Sequence, residues 1–120
     1  MKLKVYGYNK CGTCRKAYKF LDENGIEYTK IPIREQPPAY SELEKMLEYM
    51  NGEIKKLFNT SGMDYRNGNY KEKIKIMTEH EALTELSANG NLIRRPFVLS
   101  ENTGTVGFSQ EKWEKLFAKQ

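Results

Sequence analysis

Metal-binding side chains are scarce in this chain. Its 120 residues hold one histidine, His80, and two cysteines, Cys11 and Cys14. A structural zinc site takes four ligands, usually Cys or His. Three such residues cannot close one, which leaves only a site shared across a dimer, so no metal is expected. Long apolar runs are also missing, and nothing is built to span a bilayer. The opening "MKLKVYGY" has no apolar stretch of signal-peptide length,. The expectation is therefore a cytoplasmic protein whose thiols are kept reduced. Blocks of like charge are short. The net charge of +4 invites a nucleic-acid partner, but lysines and glutamates are interleaved in "SELEKMLEY" and "SQEKWEK", as on solvated helix faces. A basic footprint should cluster on one face, so direct nucleic-acid binding is not expected.

Enough apolar residues remain for a folded core, at 38% of the chain against 30% charged,. The length suits one domain, 1–120. "KLKVYGY" (2–8) alternates as a strand, with Leu3, Val5 and Gly7 on one face and Lys4, Tyr6 and Tyr8 on the other. From Cys14 the period changes. Cys14, Ala17, Tyr18 and Leu21 form one helical stripe that ends at Gly25. "IEYTKIPI" (26–33) reads as a second strand. "REQPPAY" (34–40) is a loop, because its prolines deny it a ladder. Ser41 and Glu44 fit a capping box for a helix carrying Leu43, Met46, Leu47 and Met50. A short helical piece with Ile54, Leu57 and Phe58 precedes the break at "NTSG" (59–62). Residues 70–77 are ambiguous and lean helical. Thr78 and Glu81 form a second capping box for a helix through Leu83 and Leu86. "RRPFVLS" (94–100), a turn at 101–104 and "TVGFS" (105–109) make a hairpin. Ser109 then caps a helix burying Trp113, Leu116 and Phe117. The order is βαβ, a helical block, ββα.

The two cysteines sit at the first strand-to-helix junction, spaced C-x-x-C. Positions three apart on a first turn face the same way, and their Cα separation should suit a disulfide, about 4.4–6.8 Å. Cys11 falls at the helix N-terminus, where backbone N–H groups and the helix dipole favour a thiolate. Lys10 and Arg15 add positive charge. Cys14 lies one turn inside, on the buried stripe. Cys11 is thus the expected exposed nucleophile and Cys14 the resolving thiol, as in thioredoxin-like C-x-x-C motifs. The competing view makes both small buried hydrophobes at a helix start. Gly12 and Thr13 leave room for an anion to approach the same free N–H groups. His80 reads as a surface helix residue. Tyr6, Tyr8 and Tyr18 could line a groove, although wet core-edge tyrosines are the commoner case.

The segments "YNKCGTCRKA", "REQPPAYSEL", "LFNTSGMDYR" and "LIRRPFVLS" resemble, in order, the arsenate reductase (ArsC)/Spx family. The resemblance covers nearly the whole chain. It implies an α/β, thioredoxin-like fold (βαβ…ββα) with a helical insertion at about 38–91. It implies that Cys11 is the redox-active cysteine and that Pro96 is a cis-proline beside it. In arsenate reductases coupled to glutathione and glutaredoxin, three arginines hold the oxyanion. Arg95 matches one of them. Asn59 and Phe108 stand where the other two are expected, with Arg94 and Arg66 as candidate substitutes. Cys14 replaces the serine of that branch, which points toward an intramolecular dithiol. The Spx branch shares the C-x-x-C and "RRP" and binds RNA polymerase, but this chain has no basic C-terminal extension.

The expected function is thiol oxidoreduction by Cys11 and Cys14 on a disulfide, a glutathione adduct or arsenate. Gly12, Thr13, Arg15, Asn59, Arg94, Arg95 and Pro96 are the expected substrate contacts. No bound cofactor is expected. Glutathione, glutaredoxin or thioredoxin is the expected electron donor, and a redox protein the expected partner. The alternative is an Spx-like redox-sensing regulator docked on RNA polymerase.

Overall fold

Alternating side chains on the central strands divide the apolar residues between two faces of one sheet. The computed structural model describes residues 3–117. Met1, Lys2 and residues 118–120, at the ends of the expected domain and first strand, lie outside them. Strands β1 (Leu3–Gly7), β2 (Tyr28–Pro32), β3 (Phe97–Leu99) and β4 (Gly104–Val106) form a sheet of order β2-β1-β3-β4. β1 and β2 run parallel, with Leu3 opposite Tyr28 and Gly7 opposite Pro32. β3 is antiparallel to both β1 and β4. The parallel pair requires a crossover, which α1 (Gly12–Glu23) supplies.

Leu3 and Val5 of β1 and Val98 of β3 point to one face, where they meet Ala17, Phe20 and Leu21 of α1 and Trp113 and Phe117 of α6 (Gln110–Phe117). Tyr6, Phe97 and Leu99 point to the other. There they meet an insertion made of α2 (Tyr40–Tyr49), α3 (Met63–Asn67), α4 (Tyr70–Lys73) and α5 (Glu79–Ala88), with 3-10 turns at Ile54–Leu57 and Gly90–Leu92. The period-two geometry of a strand thus feeds both cores. This is a thioredoxin-like fold, βαβ and ββα halves separated by a helical insertion. No helix among the described residues is long and apolar enough to cross a membrane.

Several local expectations need correction. Ser41 does not cap α2. The helix begins two residues earlier, with Ala39 at its N-cap and the Glu42 carboxylate accepting from the Ala39 N–H at 3.0 Å. Residues 70–77 are helical only through Lys73, and α3 precedes them. The strand expected at 26–33 is trimmed to 28–32. The last strand spans 104–106 rather than 105–109, because Gly107 takes φ 75° and turns the chain out of the ladder. The second capping box stands: the Glu81 N–H donates to Thr78 Oγ1 at 3.1 Å, and the Thr78 N–H donates to the Glu81 carboxylate at 2.9 Å. Gly25 takes φ 65° after α1, the left-handed residue a helix terminus favours.

Candidate active site

The turn after β1 sets both cysteines. Cys11 is the N-cap of α1, its N–H donating to the Tyr8 carbonyl at 3.0 Å and its own carbonyl accepting from Arg15 N–H at 3.1 Å. No side chain caps this end, and no acidic residue lies in the first turn. The first-turn N–H groups and the positive end of the dipole therefore face the site with no side-chain carboxylate or cap from the first turn upon them,. Cys11 is partly exposed and Cys14 fully buried, both as free thiols. The Tyr8 N–H donates to Cys14 Sγ at 3.4 Å. Burial pushes the Cys14 thiol up to about 12 and the adjoining Cys11 adds to this, while the Tyr8 N–H and the Arg95 charge oppose it. At neutral pH Cys14 is a protonated thiol.

Cys11 opens on a cleft of about 510 Å³ shared with Thr13, Asn59, Ser61, Arg94, Arg95, Gly107 and Phe108. Four places in the sequence thus converge: the α1 start, the loop after the first 3-10 turn, the segment before β3, and the end of β4. Arg95 is half-buried. Its guanidinium lies 5.8 Å from the Tyr8 ring centroid and donates to the Asn91 carbonyl at 3.4 Å. Asn59 Nδ2 donates to the same carbonyl at 3.5 Å, and the Asn59 N–H donates to the Leu92 carbonyl at 2.7 Å. Arg94 is exposed at the rim beside Gly107. Phe108 forms an apolar wall, backed by Trp113 at 4.9 Å and Phe20 at 5.9 Å between ring centroids.

Of the expected contact residues, Thr13, Asn59, Arg94 and Arg95 meet Cys11 in this cleft. Gly12, Arg15 and Pro96 do not line it. The Arg15 guanidinium instead donates to the Asn9 carbonyl at 3.1 Å. Pro96 is buried, after a cis Arg95–Pro96 bond. Arg66 donates to the Ser61 carbonyl at 3.1 Å and is not among the lining residues. Tyr6 is buried away from the site, whereas Tyr8 and Tyr18 line a second cleft of about 410 Å³ with Lys10, Lys30 and Glu35. His80 is exposed and bonded to Tyr40 at 2.8 Å, and no cluster among the described residues could hold a metal.

Two groups with a part in the site went unforeseen. The Asn91 carbonyl holds both Arg95 and Asn59, and the Tyr8 N–H holds Cys14. Each acts through its backbone, which any residue type supplies, so only three-dimensional geometry shows it.

The chain is similar to known proteins over nearly all of its length. The Bacillus subtilis protein YusI, itself uncharacterized, is 48% identical over 118 residues, covering 98% of this chain and 100% of that one. Global transcriptional regulator Spx 2 of Bacillus anthracis is 25% identical over 115 residues, covering 96% of this chain and 86% of that one. The crystal structure of a Bacteroides fragilis protein described as ArsC-family-related superposes with a TM-score of 0.91 at 42% identity, covering 98% of each chain. The ArsC family model matches residues 6–116, from β1 into the last helix and across every residue of the cleft. The chain belongs to the ArsC family.

Proposed function

We propose that this protein is a thiol oxidoreductase in which Cys11 attacks and Cys14 resolves. One observation carries this: a partly exposed thiol at an uncapped helix N-terminus, with a second thiol buried one turn behind it. The Cys11 thiolate attacks one sulfur of a disulfide, or of a glutathione adduct, docked in the cleft. It forms a mixed disulfide and expels the other sulfur as a thiolate. Cys14 then attacks Cys11, releases the bound thiol, and leaves a Cys11–Cys14 disulfide. A dithiol or glutathione-dependent donor such as thioredoxin or glutaredoxin returns both thiols.

Arg95, the first-turn N–H groups and the Thr13 hydroxyl suit an anionic substrate. Arsenate is the smallest such substrate, reduced by two electrons to arsenite as the same disulfide forms. Asn59 and Phe108 supply neither of the other two expected cations. The cleft volume also falls in the range of sites for larger organic ligands, about 300–1,000 Å³. Disulfide or glutathione-adduct reduction is therefore the favoured reaction.

The test is disulfide reduction and arsenate reduction measured side by side with each donor system. Cys11→Ser should abolish both. Cys14→Ser should trap a covalent adduct on Cys11, visible by mass spectrometry of the intact protein. A Cys11→Ser variant with undiminished turnover rules the mechanism out.

The similarity to Spx 2 favours a second role, a redox-sensing regulator that docks on RNA polymerase. Pull-down of polymerase with reduced and with oxidised protein separates the two. Capture in one state only supports the switch, and no capture in either removes it.

A further inference from the structure

Resolution by Cys14 must release the proton of a thiol that does not open on the Cys11 cleft. The Cys14 thiol is 0% exposed and is not among the residues lining that cleft. Three of the groups acting on it cannot take its proton. The Tyr8 N–H only donates, the Arg95 guanidinium is already cationic, and Cys11 is blocked as the mixed disulfide. A further group beside it is Tyr18, one turn further along α1. Gly7 of β1 leaves open the space into which both side chains reach. A Cβ there would collide with the Tyr18 hydroxyl and lie 3.2 Å from Cys14 Sγ. Phenol and thiol converge over the same glycine.

The outer side of Tyr18 faces the second cleft. Lys10, Lys30, Tyr8 and Glu35 line it. The Lys30 ammonium lies 4.3 Å from the Tyr18 ring centroid, and Tyr28 stacks on that ring at 6.0 Å. Tyr18 therefore bridges a sealed thiol and a polar opening that carries both cations and a carboxylate.

We propose that the Tyr18 hydroxyl carries the Cys14 proton between the buried thiol and this second cleft. The role rests on the dithiol mechanism above. During resolution Cys14 Sγ bonds to Cys11 Sγ, the Cys11-to-substrate sulfur bond breaks, and the substrate thiolate leaves with the electron pair. The Cys14 proton passes to the Tyr18 oxygen while the phenolic proton leaves to water or Glu35 in the cleft. During reductive return an incoming thiolate bonds Cys11, and Cys14 leaves as a thiolate. Cys14 takes its proton from Tyr18, which is reprotonated from the cleft. Tyr18 is neither oxidised nor reduced. Burial, with Cys14, Tyr28 and Cys11 adding, pushes its phenol up to about 12.

A chromogenic bis(nitrobenzoate) disulfide reads the two steps separately. Attack by Cys11 releases one coloured thiolate, and resolution by Cys14 releases the second. Tyr18→Phe keeps the ring and removes only the hydroxyl. The first release should be unchanged and the second slowed about 100-fold near neutral pH, the gap closing as pH rises. Tyr40→Phe, which deletes a hydroxyl bonded to His80 at 2.8 Å on the other face of the sheet, should change neither. An unchanged second release in Tyr18→Phe overturns the proposal, as does equal slowing in Tyr40→Phe. Should Tyr18→Phe fail to fold by circular dichroism, the wild-type second release in heavy water decides. Slowing supports the relay, and an unchanged rate overturns it. Absence of the first release in the wild type would instead sink the dithiol mechanism.

Discussion

Arg94 and Arg95 are neighbours in sequence and opposites in setting. Arg95 is half-buried and tied to the Asn91 carbonyl, and its charge is felt at Cys14. Arg94 stands exposed at the cleft rim. A charged group held in a partly buried site contributes about 1.5–3 kcal/mol through its hydrogen bonds, whereas an exposed one contributes about 0–1 kcal/mol. Arg95→Ala should therefore lower kcat/KM for an anionic disulfide by about 10- to 100-fold, and Arg94→Ala by less than about 5-fold. Steady-state kinetics with an anionic and a neutral disulfide check this. Equal losses on both substrates would mean that Arg95 shapes the cleft without binding the anion. The C-x-x-C spacing and the "RRP" segment single out Cys11, Cys14 and Arg95, and the fold brings Cys11 and Arg95 into one cleft with Cys14 beside them. Arg15 is placed elsewhere, because its proximity in sequence to Cys11 says nothing about the Asn9 carbonyl that engages it.

Helix starts show how far a local pattern reaches. Two S/T-x-x-E patterns are present, and only one is a cap. Thr78 Oγ1 accepts from the Glu81 N–H, whereas Ser41 already lies inside α2. Thr78→Ala should lower stability by about 1 kcal/mol. Ser41→Ala should stay within about 0.5 kcal/mol of wild type. Paired urea melts check this, and a Ser41→Ala loss as large as that of Thr78→Ala would contradict the observed helix start. The βαβ and ββα halves were readable because the apolar residues of α1 and α6 recur with the helical period and the short strands β1 and β3 are largely apolar and buried,. The middle of the chain was harder. α3 buries only Tyr65 and α4 buries no residue, so neither writes an apolar stripe. The alternation that suggested a strand to Ser109 continues past the point where Gly107 leaves the sheet.

The molecule as a whole depends on joining the insertion to the sheet, and one polar contact does so at a buried position. Tyr6 of β1 donates to the Glu42 carboxylate of α2 at 2.7 Å, and Lys4 pairs with the same carboxylate at 2.7 Å. Burial alone would raise the Glu42 carboxyl, but the bonds from Lys4, Tyr6 and the Ala39 N–H outweigh it and hold the group below its usual range. A depressed folded value means stability that is fully present above the unfolded value of about 4.3 and is lost as pH falls through the folded one. Tyr6 works in the opposite direction. Burial first, then Glu42, raises its phenol, so its share is full below about pH 10 and is lost as pH rises from there toward the folded value. The Tyr6–Glu42 contact should thus stabilise the protein across the window between about pH 4 and pH 10. Glu42→Gln should lower stability by about 1–2 kcal/mol near neutral pH. Urea melts across pH should show the wild-type and variant curves converging below about pH 4. Curves that stay parallel through the acid limb would show that Glu42 does not link the two layers by its charge.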